Sequence, residues 1–524
     1  MSQTKGSSDS FSRPLARSLG EAQVLYINPA KQGVDFRLDA NMGRPYALMP
    51  VGVAGLVNLL RENGIPVRGV NYPLEKQINP KFNLETWLAS RQGVRVILID
   101  MHWYEHSFGA IDTARLCKQI MPWAWTVLGG LTASGFSRDI LERFPEVDFI
   151  IRGDAEKPLL ELVQHLLKAG NRSAAQVGLR EIPNLSYRSE AGIVENAQAY
   201  TATPDDLDAL NFADIDFIEH PREYYAHEYV VLDVDKTLKA LQTNPFMGRW
   251  ITSARGCKYH CSYCGGGKDS HKRLANRFGI VPRSPHKLVE EMKRIEQLGV
   301  IQVAMSYDPA EIGESYWREL FSLMRASGVK ISIYNEFFQL PEPAFIDEFA
   351  RSVDMTHSCV VLSPLSGNER VRRLNGKHFS NQALFDTLEY LSRYNIYLIV
   401  YFSLNLPGET EETFQDTLNL AREAFEFYPT TSLRILNTVH TIDPFSPMNT
   451  FPDKFGIESS MTSFMDFYNY CKDTQFNSPE ARTELNRGFK LKDVDARTLK
   501  RMADTWDQER LGREACWIPV PSGW

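Results

Sequence analysis

The sequence predicts an α/β protein with two successive parallel-sheet units and a mainly helical C-terminal extension. Short β-branched runs alternate with amphipathic stretches over residues 21–170, and six further strand-and-helix units occupy residues 246–445. Helical periodicity then dominates residues 446–524. Because two parallel strands need a crossover connection, such alternation is typical of parallel sheets.

Composition excludes several classes of protein. The chain has 524 residues, of which 43% are hydrophobic and 23% charged, so it can bury ordinary cores. A net charge of -7 gives no general electrostatic reason to bind nucleic acid. No apolar run reaches the roughly 18 residues that span a bilayer. We expect a cytoplasmic protein that binds neither nucleic acid nor membrane, and a flexible Ser-rich leader over residues 1–20.

The first unit, residues 21–170, contains five predicted strands and reads as a doubly wound, Rossmann-like sheet. In such sheets, ligands bind beyond the carboxyl ends of the strands. Polar or glycine-rich residues occupy most of those ends, at Asn28, Asp100–His106, Gly129–Ser134 and Gly153–Glu156. The unit is therefore predicted to hold a ligand.

Residues 171–245 are predicted to form a linker or clasp with one hairpin and an acidic stretch. The second unit, residues 246–445, has six predicted strands, too few for a closed eight-stranded barrel. Five predicted helices separate these strands, near residues 285–298, 314–327, 342–353, 380–394 and 411–427. We expect an open, partial (β/α)6 barrel of the TIM type with its site at the strand carboxyl ends, and an extension that packs over the barrel or shapes its pocket.

Three cysteines crowd one loop directly after the first barrel strand. Cys257, Cys261 and Cys264 form a C-x3-C-x2-C pattern followed by three glycines. Three thiolates can bind three irons of a 4Fe-4S cube and leave the fourth iron open. The alternative is a zinc site with His260 or His271 as fourth ligand, although structural zinc sites usually add a second, distant Cys pair. Free thiols are a further alternative.

This loop resembles that of the radical S-adenosylmethionine (SAM) superfamily, and the resemblance covers roughly residues 246–445. It implies a 4Fe-4S cluster on Cys257, Cys261 and Cys264 whose open iron chelates SAM, with Tyr263 near the adenine. It also implies an external electron donor of the flavodoxin or ferredoxin type. Weaker similarity at the other strand ends implies further SAM contacts from Ser306, Asp308, Glu336, Ser363 and Asn405.

The first unit resembles the cobalamin-binding module of the B12-dependent radical SAM branch, in its first helix, its Gly-Gly loop and the turn after its fifth strand. A nucleotide site, for which no G-x-G-x-x-G is present, and an empty fold are the alternatives. The similarity favours base-off cobalamin without a His ligand, with His102 as the alternative cobalt ligand. The implied cobalamin contacts are Asn28, His102, Trp103, Gly129, Gly130, Thr132, Ser134, Gly153 and Glu156.

Together these resemblances imply a B12-dependent radical SAM methyltransferase. It would move a methyl group from SAM via methylcobalamin to an unactivated carbon of a small metabolite, a natural-product precursor or a peptide. A cobalamin-dependent cyclase or rearrangement enzyme without methyl transfer is the first alternative. A radical enzyme that does not use cobalamin and a non-catalytic cobalamin-binding regulator are the others.

Overall fold

The computed structural model describes residues 22–36, 46–230, 246–476 and 488–520. The expected leader, residues 1–20, lies outside these described residues. Two large sheets organise the chain, and each large sheet carries helices that connect its parallel strands. The α/β class predicted from the alternating pattern is confirmed.

The first sheet has seven strands in the order β2-β1-β3-β4-β5-β6-β7. Strands β1 to β5 are parallel, whereas β6 and β7 are antiparallel. β1 and β3 are buried along their whole length, which explains their continuous apolar sequences. The strands are β1 (Val24–Asn28), β2 (Val67–Asn71), β3 (Val96–Asp100), β4 (Trp125–Gly129), β5 (Phe149–Ile151), β6 (Leu185–Ser189) and β7 (Gly192–Glu195).

Helices cover this sheet, and polar side chains begin several of them. Asn83, for example, accepts a hydrogen bond from the Thr86 amide at 2.8 Å and so satisfies a free N–H of the first turn. The helices of this half are α1 (Val51–Glu62), α2 (Tyr72–Ile78), α3 (Leu84–Ala89), α4 (Ser107–Ile120), α5 (Leu131–Gly135), α6 (Ser137–Arg143), α7 (Glu156–Lys168), α8 (Arg172–Gln176), α9 (Pro204–Asp208) and α10 (Pro221–Glu228).

The segment 171–245 does more than connect the two sheets. Its predicted hairpin forms as β6 and β7 and extends the first sheet by two strands. Farther along, the Phe217 carbonyl accepts a hydrogen bond from Gly69 of β2 at 2.7 Å. The nearby Asp214 pairs with Arg294 on a helix of the second half. This stretch therefore touches both halves of the molecule.

The second sheet has six parallel strands in sequence order, with its first and last strands at the two edges. The predicted first strand is divided, because Ala254–Gly256 leaves the sheet and pairs with a separate short strand. This division carries the chain outward just before the cysteine loop. The six strands of the sheet are β8 (Gly248–Ile251), β11 (Gln302–Met305), β12 (Ser332–Phe337), β13 (Cys359–Leu365), β14 (Tyr397–Leu404) and β15 (Leu433–Val439). The separate antiparallel pair is β9 (Ala254–Gly256) with β10 (Ile280–Pro282).

The five helices predicted between these strands are confirmed, and local signals set their ends. One of them begins at Pro285 after the capping Ser284, and another ends before Gly328, whose φ is 72°. The helices from here to the C-terminus are α11 (Lys268–Ala275), α12 (Pro285–Gln297), α13 (Glu314–Ser327), α14 (Pro343–Ser352), α15 (Glu369–Leu374), α16 (Asn381–Ser392), α17 (Glu411–Phe427), α18 (Pro447–Thr450), α19 (Phe464–Phe476) and α20 (Ala496–Glu509).

The C-terminal extension contacts both halves. It adds a small antiparallel pair, β16 (Ile457–Ser459) with β17 (Phe489–Leu491), to its helices. α19 packs against α4 of the first half, where the Tyr468 and Phe108 rings lie 5.5 Å apart. Near the C-terminus, Trp517 forms a β-bridge to Ile435 on the edge strand β15. No described helix has the length and apolar character needed to cross a membrane.

Candidate functional site

A cavity of about 730 Å³ lies between the carboxyl ends of the two sheets. The first sheet contributes residues that follow β3, β4 and β5, and the second contributes the cysteine loop and the ends of its strands. A volume of this size falls within the range of small-molecule and cofactor sites. Ligand sites of parallel sheets lie at the carboxyl ends of their strands, and here both predicted sites therefore share one cavity.

All three loop cysteines line this cavity. The Tyr259 amide donates a hydrogen bond to Cys257 Sγ at 3.4 Å, and the Gly266 amide donates one to Cys264 Sγ at 3.3 Å. Backbone N–H groups aimed at sulfur are the kind of hydrogen bond that stabilises and tunes cluster thiolates. The donor set of this loop therefore fits an iron–sulfur cluster.

Three other loops hold the cysteine loop in shape. Ser262 donates a hydrogen bond to Asn375, which follows α15, and the Gly265 amide donates one to Asp443, which follows β15. The Tyr259 hydroxyl donates to Glu311, which follows β11, at 2.6 Å. The loop conformation is thus fixed by residues far apart in the sequence.

Gly376 packs directly against the loop. Its φ is +90°, and a Cβ added there would lie 2.9 Å from Cys261 Sγ and 2.8 Å from its Cα. Side chains other than glycine avoid this φ, and the neighbouring backbone could not move away cheaply. A glycine at this position therefore lets the turn after α15 approach the cysteine.

Burial raises the pKa of each of the three loop thiols above its ordinary value. For Cys261, the ammonium of the nearby Lys377 acts in the opposite direction. A buried set of thiolates therefore lacks enough positive charge from the protein alone, and bound iron would supply it.

The two histidines considered as zinc ligands occupy different surroundings. His260 is half-exposed, and its Nδ1 lies 2.9 Å from Asp269. His271 lines the cavity, where burial lowers its pKa to about 4. Within the described part of the chain, no three His, Cys, Asp or Glu side chains approach closely enough to hold a single metal ion.

Four of the residues expected to contact SAM line the cavity beside the cysteines, namely Tyr263, Ser306, Glu336 and Ser363. The Glu336 carboxylate is open to the cavity and accepts a hydrogen bond from the Tyr334 hydroxyl at 2.5 Å. Hydroxyl and carboxylate groups of this kind can bind ammonium, ribose and amide groups.

Asp308 does not line the cavity. It is fully buried and accepts hydrogen bonds from the Ala310 and Phe338 amides, each at 3.0 Å, and from the Asn335 side chain at 3.2 Å. Burial raises the pKa of this carboxyl to about 7. In this structure Asp308 shapes the turn after β11, and its contact with SAM stays a prediction.

Asn405 also lies behind the cavity wall, in a turn that a buried carboxylate organises. Its φ is 66°, and its amide donates a hydrogen bond to Glu409 at 2.7 Å. The Leu406 amide donates to the same oxygen at 3.3 Å. Burial raises the pKa of Glu409 to about 8.

We expect Glu409→Gln to remove a pH dependence of stability. The folded state holds a proton on Glu409 that the unfolded chain releases above about pH 4.5, so this group makes the wild-type protein less stable as pH rises towards 8. The variant should gain on the order of 3–5 kcal/mol relative to the wild type between pH 4 and pH 9. Denaturation midpoints across that range measure the difference, and parallel curves for the two proteins would contradict the expectation.

Most residues expected to contact cobalamin also line the cavity, on the side of the first sheet. These are His102, Trp103, Gly129, Gly130, Gly153 and Glu156. Gly130 has a φ of +108°, and a Cβ added there would lie 2.5 Å from the His102 backbone. The Gly-Gly loop thus passes directly against the loop that follows β3.

The remaining three residues of that set lie behind the wall. Thr132 donates a hydrogen bond to the His102 carbonyl at 3.0 Å. The Ser134 hydroxyl donates to the Gly130 carbonyl at 2.7 Å and accepts from the Gly153 amide at 2.9 Å. Asn28 is fully buried and donates to Asn71 at 3.1 Å. These side chains fix the loops that form the cavity surface.

The imidazole of His102 faces the cavity next to the Trp103 ring, with ring centroids 5.2 Å apart. Burial lowers the pKa of His102 to about 4, so the ring is neutral at physiological pH. A neutral imidazole is the form that ligates metals. The ring is therefore in the form that a metal could bind.

Sequence reasoning missed a buried ion cluster that joins the two halves at the cavity. Arg255 lies two residues before the first loop cysteine and pairs with Asp154 at 3.0 Å and with Glu156 at 2.7 Å. Asp154 also pairs with the fully buried Arg277. The turn after β5 is thus linked directly to the start of the cysteine loop.

His440 and Tyr401 were also missed, although both line the cavity. His440 is the first residue after β15, so the strand-end rule applied to the last strand could have found it. Tyr401 lies within β14, and a buried tyrosine in a strand gives no sequence signal that separates a cavity from a core.

Residues 251–421 match the family described as the Radical SAM superfamily. The anaerobic magnesium-protoporphyrin IX monomethyl ester cyclase of Cereibacter sphaeroides is 25% identical over 60% of this chain and 47% of its own length. The hopanoid C-3 methylase of Methylococcus capsulatus is 22% identical over 55% of this chain and 48% of its own length. The chain thus spans about half the length of these two relatives.

Two solved structures share the fold. The TsrM methyltransferase of Kitasatospora setae, with cobalamin and a [4Fe-4S] cluster bound, superposes with a TM-score of 0.57 and 16% identity. That superposition covers 84% of this chain and 78% of TsrM. The cobalamin-dependent SAM radical enzyme OxsB superposes with a TM-score of 0.56 and 14% identity over 95% of this chain and 71% of OxsB.

The family match begins at the end of β8 and includes the cysteine loop and strands β11 to β14. It therefore coincides with the part of the second sheet that forms the cysteine side of the cavity. Residues 251–421 of this chain are a radical SAM domain.

Proposed function

We propose that this protein is a cobalamin-dependent radical SAM methyltransferase that acts on an unactivated carbon of a small molecule. One observation carries the proposal. The three-cysteine loop of the radical SAM domain and the Gly-Gly loop of the first sheet line the same cavity. Two cofactors held by these two loops would meet there.

On the cysteine side, Cys257, Cys261 and Cys264 would hold a 4Fe-4S cluster and leave one iron open. SAM would lie beside that iron, with Tyr263 near its adenine. Ser306, Glu336 and Ser363 would bind its polar groups, because their side chains line the cavity. Asp308 and Asn405 would act from behind the wall by holding the turns after β11 and β14.

On the side of the first sheet, Gly129, Gly130 and Gly153 would bind the cobalamin tail through loops without side chains. His102 and Trp103 would line its lower face, either with or without a bond from the His102 imidazole to cobalt. Thr132 and Ser134 would hold these loops in place, as their hydrogen bonds to His102, Gly130 and Gly153 indicate.

The cofactors supply the reactive chemistry: when bound, the cluster provides the electron that cleaves SAM, and the cobalamin cobalt carries the methyl group. The protein orients these groups and excludes water. The ion pair between Arg255 and Glu156 would hold the two sides of the cavity together. Radical chemistry of this kind requires no general base, so the hydrogen-bonded Glu336 would serve as a polar contact.

The substrate is proposed to be a small metabolite, a natural-product precursor or a peptide. The electron donor is proposed to be a flavodoxin or ferredoxin, because the cluster needs an external reductant. TsrM and OxsB share the two-sheet fold, and TsrM was solved with cobalamin and a [4Fe-4S] cluster, the two metal cofactors proposed here.

A labelled methyl group distinguishes the proposal from its alternatives without knowledge of the substrate. The protein is reconstituted anaerobically with iron, sulfide and reduced cobalamin and then given SAM with a deuterated methyl group. We expect S-adenosylhomocysteine to form and the label to appear on protein-bound cobalamin by mass spectrometry. Retained cobalamin that acquires no label would contradict methyl transfer.

Cyclisation is the second candidate, because the magnesium-protoporphyrin ester cyclase of Cereibacter sphaeroides is among the relatives, at 25% identity. A cyclase would release 5'-deoxyadenosine from SAM while its cobalamin stays unlabelled. Under the same conditions, a non-catalytic cobalamin-binding protein would yield neither S-adenosylhomocysteine nor 5'-deoxyadenosine.

Gly130→Ala is expected to reduce cobalamin retention. The added Cβ meets the His102 backbone, and the φ of +108° belongs to a region that costs a residue other than glycine about 1–3 kcal/mol. The Gly-Gly loop must therefore move, and about a tenfold or greater loss of cobalamin affinity should follow. Absorbance of cobalamin after gel filtration measures retention.

Gly170→Ala is the matched control, because a Cβ at Gly170 meets nothing within 4 Å. Its cobalamin retention should equal that of the wild type. Equal retention by both variants would mean that the Gly-Gly loop is not the cobalamin site.

A further inference from the structure

A second, smaller cavity of about 200 Å³ adjoins the main one. Tyr401 and His440 line both cavities and so stand at their junction. The other walls come from the loop after β1, the turn after β3, the end of β15 and α19 of the C-terminal extension. The residues that form these walls are Lys31, Tyr104, Glu105, Thr438, Val439, Thr441, Tyr470 and Cys471.

Two opposite charges face this side cavity. Lys31 Nζ and Glu105 Oε1 lie 3.9 Å apart, beyond the distance of a direct hydrogen bond. Their side chains are 16% and 36% exposed, and Lys31 Nζ also lies 4.2 Å from the centre of the Tyr46 ring. Each charged group can therefore still form direct hydrogen bonds with a ligand.

His440 forms part of the wall at the junction. Its ring stacks on Tyr263 of the cysteine loop, with centroids 4.4 Å apart and planes 26° apart. Its Nε2 has no hydrogen-bond partner among the described residues and is shielded from the cavities as well as from solvent. The imidazole therefore contributes its shape, and not a polar contact, to the wall between the two cavities.

We propose that the side cavity binds the substrate as a small zwitterion, with Glu105 facing its ammonium group and Lys31 its carboxylate. This inference rests on the proposed function, since it assigns the substrate site of the same enzyme. Lys31 and Glu105 lie 3.9 Å apart and neutralise each other, so a ligand with only one charge would draw one of them away from the other. A ligand that carries both charges can contact each group and leave neither unpaired.

The size and charges of the site narrow the substrate class. A cavity of about 200 Å³ is smaller than the usual sites of drug-sized ligands. Adjacent ammonium and carboxylate groups occur together in a free amino acid, whereas a peptide carries them at opposite ends. The site therefore favours an amino-acid-like small molecule over a peptide.

Ligand binding to the reconstituted protein tests this inference directly. The probes are L-leucine, L-phenylalanine and L-tryptophan, each compared with the amine that lacks its carboxylate and the acid that lacks its ammonium group. We expect at least one amino acid to bind at least about tenfold more tightly than both of its singly charged analogues. Saturation-transfer NMR and calorimetry measure the affinities. Equal binding of an analogue, or no binding by any amino acid, would overturn the proposal.

Two variants assign the preference to the side cavity. Lys31→Met should abolish the preference for the amino acid over the amine, and Glu105→Gln should abolish its preference over the acid. A preference that survives both charge variants would place the zwitterion elsewhere and refute the assignment.

Lys287→Met and Glu290→Gln are the matched controls, because these residues form an exposed pair at 2.7 Å on α12. They should bind every probe as the wild type does. The binding experiment needs no SAM turnover, so a failure of this inference can be distinguished from a failure of the proposed function. Selective amino-acid binding without SAM cleavage would refute the function alone, and SAM cleavage without that selectivity would refute this inference alone.

Discussion

Replacing any one of the three loop cysteines with alanine is expected to reduce SAM cleavage to the background of a protein-free reaction. Cys257, Cys261 and Cys264 all line the cavity, and two of them accept backbone N–H hydrogen bonds at sulfur. Each would supply one of three protein ligands to the cluster, so no side chain is left to replace a lost thiolate. Iron and sulfide content and 5'-deoxyadenosine formation after anaerobic reconstitution measure the effect.

Cys117→Ala is the control for this series. Cys117 is buried in α4 of the first half, away from the cavity, and should be a small apolar side chain without a ligand role. Its iron content and SAM cleavage should match those of the wild type. If a loop variant retained full iron content and cleaved SAM, the cysteine loop would not be the cluster site.

Asp154→Asn is expected to destabilise the protein by about 3–5 kcal/mol, the usual cost of leaving a buried charge without its partner. Asp154 is 4% exposed and neutralises Arg277, which is 1% exposed, as well as Arg255 at 3.0 Å. The amide cannot neutralise Arg277, whereas Arg255 keeps its pair with Glu156 at 2.7 Å. The midpoint of urea denaturation measures the loss of stability. SAM cleavage by the variant is compared with SAM cleavage by the wild type.

We expect SAM cleavage to fall in the same variant, because Arg255 connects the turn after β5 to the start of the cysteine loop. Asp504→Asn is the control, since Asp504 forms an exposed i,i+4 pair with Lys500 that should contribute less than about 1 kcal/mol. If Asp154→Asn and Asp504→Asn shifted the denaturation midpoint equally, the buried ion cluster would not stabilise the contact between the two halves.

Strand and helix positions in the second sheet could be predicted well from the sequence. Glu314–Ser327 and Glu411–Phe427 begin and end where the periodic pattern predicts, because amphipathic spacing and terminal residues are local signals. The first strand was harder to predict. Its apolar pattern continues through Gly256, whereas the chain leaves the sheet after Ile251 to pair with β10, a partner distant in sequence.

The side chains of the candidate site likewise fall into those that local sequence predicts and those that distant contacts position. Cys257, Cys261 and Cys264 lie together at the cavity because all three belong to one short loop, and their role as cluster ligands stays a prediction. Asp308 follows a strand just as Ser306 does, yet its carboxylate turns inward to the Ala310 and Phe338 amides. The direction of a side chain at a strand end depends on hydrogen-bond donors from other loops, and a sequence pattern does not contain that information.

The sequence by itself determined the α/β class, the order of the two sheets and the cysteine loop, because these depend on local periodicity and spacing. Only the tertiary structure decided that both strand-end sites share one cavity and that Arg255 links them. It also placed His440 on Tyr263, between the main and side cavities. Such contacts join residues that lie far apart in the sequence, and only the packing of the folded chain brings them together.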